Sequence, residues 1–289
     1  MTDTAPPPPD PARLAARFER WMAMFDLEPD GDDAYLAPTP AEGEGPPRLF
    51  GGQVAAQSLR AATLTVDGDR PPHSLHAYFL RPGRPGVPLR LEVERTRDGR
   101  SFATRTVHAV QDDETVLLLT CSFHGDEPGD DWHRVAPDVP GPDEVAHHRS
   151  PMASFDTVSP FEMRPVHPPR PDGFPVLHPF WVRTRLPVPD DAVLHRCLIA
   201  FLSDMGVVMG ARAPESTLPA RFLGASLDHA VWFHRPARPD EWLLFSVEPA
   251  SNSGARGLAL GSFRTVDGTL VASIAQEALL RDSGRVPLP

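Results

Sequence analysis

No lysine occurs among the 289 residues, so all 28 basic side chains are arginine. That absence excludes a Schiff-base lysine, a pyridoxal-phosphate lysine and a P-loop lysine. Cysteine is almost as scarce. Cys121 and Cys197 each sit in an apolar, periodic segment, which predicts two buried free thiols, and no Cys/His spacing suggests zinc. No metal or cofactor is expected. An excess of positive charge is also missing: the net charge of −11 argues against nucleic acid or an anionic membrane as partner. Long hydrophobic runs are absent too. Ala225–Phe233 and Val116–Leu119 are short or broken by polar residues, so no membrane span is expected. Met1-Thr2-Asp3-Thr4 and Pro6–Pro9 lack the basic region and apolar core of a signal peptide, and a cytoplasmic location is expected.

What is present fits a globular protein: 40% hydrophobic and 23% charged residues, in a chain long enough for two domains. Residues 1–47 read as a tail, a helix and a loop. The first eleven residues are Pro-rich and expected to be disordered. Leu14, Phe18, Trp21, Met22 and Phe25 then recur at helical spacing. Residues 48–124 form the first domain. Gln53–Val66 predicts a helix whose small face (Ser58, Ala61, Ala62, Thr65) permits close approach to a sheet, with Asp67-Gly68 ending it. Four strands follow, over His73–Arg81, Val87–Thr96, Ser101–Val110 and Glu114–His124, with an Asp98-Gly99 hairpin turn.

Residues 125–189 are rich in proline, histidine and charge and read as a linker wrapping the surface, with short ordered pieces such as Phe180-Trp181-Val182. Residues 190–282 repeat the earlier pattern. Leu194, Cys197, Leu198, Phe201, Leu202 and Met205 form a helical stripe, followed by strands over Ala225–Arg235, Glu241–Ala250, Ala255–Thr265 and Thr269–Leu280. Phe79-Leu80-Arg81-Pro82 reappears 154 residues later as Phe233-His234-Arg235-Pro236, and Asp113 meets the turn residue Asp267 at the same spacing. Helix followed by four strands, twice, is an internal duplication. A long helix before an antiparallel sheet predicts an α+β fold in which the sheet curls around the helix, the hot-dog arrangement, here in tandem.

Three polar residues stand out in the second copy. Asp204 lies between Phe201 and Met205 at the border of the apolar stripe, a poor place for aspartate inside a helix. Gln276 shares a strand face with Leu270, Ala272, Ile274, Ala278 and Leu280, so it must find partners or incur a desolvation cost of roughly 1–3 kcal/mol. Ser226 opens the first strand. Helix, first strand and last strand converge in a sheet that curls around its helix. Each residue also has a structural reading: a solvated carboxylate, a core amide and an ordinary strand serine.

At this point the chain resembles the type II acyl-CoA thioesterase family. The matching motifs are Gly51-Gly52-Gln53-Val54, the run His73–Pro82 and Arg97–Phe102 in the first half. In the second they are Leu202–Met205, Leu227–Pro236, Glu241–Leu244 and Val271–Glu277. The likeness runs from about Arg48 to Arg281, much of the linker excepted. It implies a catalytic trio of Asp204, Ser226 (threonine in many members) and Gln276. It further implies direct hydrolysis of acyl-CoA by a water that Asp204 activates while Ser226 and Gln276 hold it. The Gly51-Gly52 turn or the second-copy helix is the candidate source of oxyanion donors, and Arg81, Arg235 and Arg256 are candidate phosphate ligands or, equally, surface ion-pair partners. Gln57 or nearby small residues stand where the first copy would need its aspartate, so that copy is expected to be silent. Exposed sheet edges and the fused geometry suggest a homodimer or homotetramer.

Three rivals are weighed. A covalent Ser226 would need a histidine, yet strand alternation turns His229 away from Ser226, and no G-x-S-x-G elbow occurs. A hot-dog hydratase or dehydratase would need a histidine beside a carboxylate; the inward trio contains none, and His76 and His229 are candidates only if they turn towards the site, each otherwise being a strand histidine with ordinary contacts. A non-catalytic acyl-binding double hot-dog would not need the complete trio that the second copy keeps.

Overall fold

The computed structural model describes residues 10–67, 70–145, 159–168, 177–218 and 222–282. The Pro6–Pro9 run, Gly68, Pro219 and part of the expected linker lie outside the described residues. Helix α1 (Pro11–Met22) is capped by the Asp10 side chain and buries Leu14, Phe18 and Trp21. Two short strands, β1 (Glu28–Pro29) and β2 (Ala34–Ala37), lead to helix α2 (Gly51–Thr63). Then come β3 (Pro72–Phe79), β4 (Leu89–Asp98), β5 (Phe102–Gln111) and β6 (Glu114–His124).

The Pro-rich segment is more ordered than its composition suggests. It contributes β7 (Phe161–Pro165) and β8 (Phe180–Thr184), which pair with each other and extend the sheet beyond the second copy. Helix α3 (Ala192–Ser203) follows, then the short α4 (Val207–Gly210). The predicted strand Ala225–Arg235 is broken into β9 (Leu223–Ser226) and β10 (Asp228–Phe233). The last three strands are β11 (Leu243–Ser253), β12 (Arg256–Thr265) and β13 (Leu270–Arg281).

All the strands form one sheet, ordered β1-β2-β4-β5-β6-β3-β10-β13-β12-β11-β8-β7, with β9 also paired to β13. The two copies are joined at its centre, where β3 runs antiparallel to β10 and Leu75 faces Val231. Helix α2 packs on β3 to β6, and its small residues Ser58, Ala61 and Ala62 are all without exposed surface. Such small side chains let the helix axis lie close to the strands.

Helix α3 is buried around most of its circumference, from Leu194 through Ser203, because it packs on both α2 and β10. The two helices run antiparallel. At one end Arg60 meets Asp191, the α3 N-cap, at 3.6 Å, and at the other the start of α2 touches Asp204. Both cysteines are buried free thiols. Among the described residues no helix is long and apolar enough to cross a membrane.

Candidate active site

Asp204 is not inside a helix. Helix α3 stops at Ser203, and Asp204 is its C-cap, with φ −91° and ψ 0° in the bridge region between helix and strand. Gly206 then adopts a left-handed φ of +72°, reversing the chain before α4. This sharp end aims the carboxylate at the first turn of α2, where Oδ2 accepts the Gly52 amide at 2.8 Å. A helix N-terminus offers unpaired N–H groups and positive potential, so it is a natural partner for a carboxylate.

The approach depends on both glycines. A Cβ at Gly51 would lie 2.7 Å from Asp204 Oδ2 and 2.8 Å from the Phe79 ring, and one at Gly52 would strike the Phe201 carbonyl. The expected oxyanion glycines thus lie against the carboxylate itself.

Ser226 and Gln276 join this group. The Ser226 hydroxyl donates to Asp204 Oδ1 at 3.2 Å, and Gln276 Nε2 donates to Ser226 Oγ at 2.8 Å. Gln276 has no exposed surface and Asp204 only 7%. The strand-phase reading of Gln276 as inward-facing therefore matches its position on β13.

The reading of His229 does not match. It is 1% exposed and faces inward, with Nδ1 2.6 Å from Gln276 Oε1 and Nε2 2.7 Å from Ser203 Oγ. A bulge is the cause. Ser226 pairs with Ala278 and Ala230 with Ala275, so four steps on one strand span three on the other. The extra residue breaks strict alternation and turns Ser226 and His229 to the same side. Asp228 stabilises the bulge by accepting the Glu277 amide at 2.7 Å.

Burial pushes the Asp204 carboxyl up from its ordinary 3.8 to about 6, although donors from Gln276, Gly52 and Ser226 pull the other way. Burial also lowers His229 to about 4. At neutral pH the site thus holds an ionised carboxylate with the basicity of a working general base, and an uncharged imidazole. The two His229 nitrogens face Ser203 and Gln276, and Gln276 in turn bonds Ser226, so Gln276 stands between the imidazole and the Ser226–Asp204 pair. Neither a Ser–His nucleophile pair nor a His–carboxylate acid–base pair is present in this group.

The three arginines lie elsewhere. Arg81 donates to the Thr115 carbonyl at 2.9 Å and pairs with Glu114, and Arg235 donates to the Leu270 carbonyl at 2.9 Å and pairs with Asp131. These matching contacts tie each copy's first strand to the start of its last. Arg256, half exposed, pairs with Glu277 at 2.9 Å, next to Gln276 in sequence.

In the first copy, Leu64 caps α2 as Asp204 caps α3. Gln57, expected near that place, sits in mid-helix and donates to the carbonyls of Met24 and Pro38. Leu75 opposite Cys121 occupies the ladder position that His229 and Gln276 hold in the second copy. His76 is on the outer face, edge-to-face with Trp232.

Two helices packed together inside one antiparallel sheet, each wrapped by its own strands, define a tandem hot-dog fold. A hot-dog-fold protein from Alicyclobacillus acidocaldarius shares it, at 22% identity and a TM-score of 0.71 over 93% of this chain and 99% of that one. The acyl-CoA thioesterase N-terminal domain family matches residues 39–124, and the acyl-CoA thioesterase family matches residues 152–279. The acyl-CoA thioesterase II TesB2 of Mycobacterium marinum is 38% identical, with a TM-score of 0.77 over 91% of this chain and 98% of its own. Acyl-coenzyme A thioesterase 8 of Rattus norvegicus is 35% identical over 91% of this chain and 89% of its own length. The chain belongs to the type II acyl-CoA thioesterase family.

Proposed function

We propose that this protein hydrolyses acyl-CoA thioesters to the free acid and CoA, with Asp204 as general base. The observation that carries the reading is the buried Asp204 carboxylate, pushed up to about 6 and flanked by Ser226 and Gln276. A water held between these groups attacks the thioester carbonyl carbon while its proton passes to Asp204. Gln276 gives one amide hydrogen to Ser226 and turns the second towards the Asp204 carboxylate, where the water is held. The carbonyl oxygen becomes an oxyanion, for which the Gly51 amide, lacking an intrahelical acceptor at the start of α2, is the proposed donor. Collapse of the tetrahedral intermediate breaks the C–S bond, and the departing thiolate takes up the proton. Arg256, beside the strand that carries Gln276, is the arginine we assign to the CoA phosphates.

Two buried, unpaired thiols suit a reducing compartment, and we place the enzyme in the cytoplasm. Tyr78, Trp232, Leu258 and Leu260 lie exposed on the outer face of the central strands, which supports a homodimer or homotetramer.

The test follows free thiol release from acyl-CoAs of different length and branching, comparing wild type with Asp204→Ala. The expected result is turnover by wild type and a loss on the order of 10²–10⁴-fold in the variant. Absence of thiol release from every substrate, or an equally fast variant, overturns the reading.

A further inference from the structure

The mechanism above leaves His229 without a role, although it is buried against the amide that helps hold the water. With Asp204 ionised, the protons of its contacts follow outward from the carboxylate. The carboxylate can only accept, so Ser226 must donate to it. Ser226 Oγ then accepts, so Gln276 must present Nε2 to it. Gln276 therefore presents Oε1 to the imidazole, and His229 Nδ1 must carry a proton. In the neutral ring Nε2 is then an acceptor, and the Ser203 hydroxyl, 2.7 Å from it and 2.8 Å from the Ala200 carbonyl, serves it by turning from that carbonyl. Every donor in this four-bond chain points towards Asp204.

An amide side chain has two nearly isosteric orientations, and only its partners distinguish them. Ser226 does so only while the ionised Asp204 holds its proton; once Asp204 has taken up the proton of the water, the hydroxyl can accept from Nε2 or donate to Oε1. His229 does, since its Nδ1–H matches Oε1 alone. We propose that His229, backed by Ser203, is a positioning residue that locks Gln276 with its N–H groups towards Ser226 and the hydrolytic water.

This inference rests on the reading of Asp204 as base. If the amide turned over, Oε1 would face Ser226 and draw its hydroxyl proton away from Asp204. The carboxylate would lose a donor and the water an N–H. The other titratable groups around Asp204 do not disturb this readout. His178, near Met205 and Gly206, is held by burial to about 4, as is His229 itself. Asp228 is tied to the Glu277 amide, and Glu277 pairs with Arg256.

The decisive comparison is His229→Leu against His229→Asn, measured as kcat, KM and the acid limb of the pH profile with an acyl-CoA that wild type turns over. The Asn Nδ2 stands where the imidazole Nδ1 stood, so it restores the donor to Gln276. The Leu variant is expected to lose on the order of 10²-fold in kcat with KM little changed. Its acid limb should move up by about half a unit, because a donor to the carboxylate is lost. The Asn variant should recover most of the rate and the wild-type limb.

His229→Gln provides the control if the Leu variant fails to fold. Its longer amide reaches towards Ser203 rather than Gln276, so it should behave like Leu. Equal kinetics in the Asn and Gln variants, or a Leu variant with wild-type kcat and acid limb, overturn the proposal. Either result would stand beside a wild type that remains active and dependent on Asp204, which distinguishes it from failure of the general-base reading.

Discussion

The backbone amide of Gly52 donates to the carboxylate of Asp204 at 2.8 Å, although 152 residues of chain separate them. The acid comes from the second copy and its helix-terminal donor from the first. Neither half contains the whole site.

Gly51→Ala tests how tightly that junction is fitted. The backbone at Gly51 is helical, so alanine is conformationally allowed, but its Cβ would meet Asp204 Oδ2 at 2.7 Å and Phe79 at 2.8 Å. Thiol release should fall by about tenfold or more, and stability by about 1–3 kcal/mol, as α2 is pushed from the carboxylate. Gly52→Ala should be worse, since it meets the rigid carbonyl of Phe201. Thermal unfolding and steady-state rates measured together would reveal a junction with more slack than this.

The pH dependence of kcat/KM reports the base in the free enzyme. With Asp204 pushed up to about 6 by burial, the rate should be level above pH 7 and fall tenfold per unit well below 6. A profile still flat at pH 5 would mean that the titrating base is a different group, or that the carboxylate is far better solvated than its burial implies.

Asp204→Asn should abolish turnover and yet stabilise the fold. Folding raises the pKa of Asp204 from 3.8 to about 6. Its contribution to stability is therefore fully present below about 4 and lost as pH rises through 6. The ionised side chain costs on the order of 2–3 kcal/mol at pH 7.5. The variant should melt several degrees higher than wild type at pH 7.5, with the gap closing towards pH 4. Equal melting temperatures at both pH values would contradict the cause given for the shift.

The role proposed for Ser226 needs only its hydroxyl, so threonine should substitute for it within a few-fold. Ser226→Ala should cost about tenfold or more, because both Asp204 and Gln276 lose a partner. A threonine variant as slow as the alanine one would show that the cavity, rather than the hydroxyl, limits this position.

Much of this arrangement was legible from local rules. Helix propensity singled out Asp204, strand phase placed Gln276 inside, and β6 was read over its observed span of Glu114–His124. The failures share a cause: strict periodicity has no term for an interruption. Strict alternation points His229 outward, whereas the bulge between Ser226 and Ala230 turns it in. The available signal was Asp228, a carboxylate at the head of a strand that could serve the spare amide of Glu277. The apolar stripe carries Asp204 within the helix, but Gly206, two residues on, is the kind of residue at which helices stop. Strands β7 and β8 are five residues each and flanked by proline, too short to show a period.

The antiparallel pair α2 and α3 has two ends, and only one carries a buried carboxylate that meets a helix N-terminus across the seam. The opposite end holds the Arg60–Asp191 ion pair and Leu64. A symmetric dimer of single-copy chains would be bound to offer two equivalent ends or none. Covalent fusion lifts that obligation: the protein is in effect a heterodimer synthesised at fixed one-to-one stoichiometry, in which one half can specialise as scaffold. Counting productive sites by single-turnover thiol release should therefore give one per polypeptide, not two.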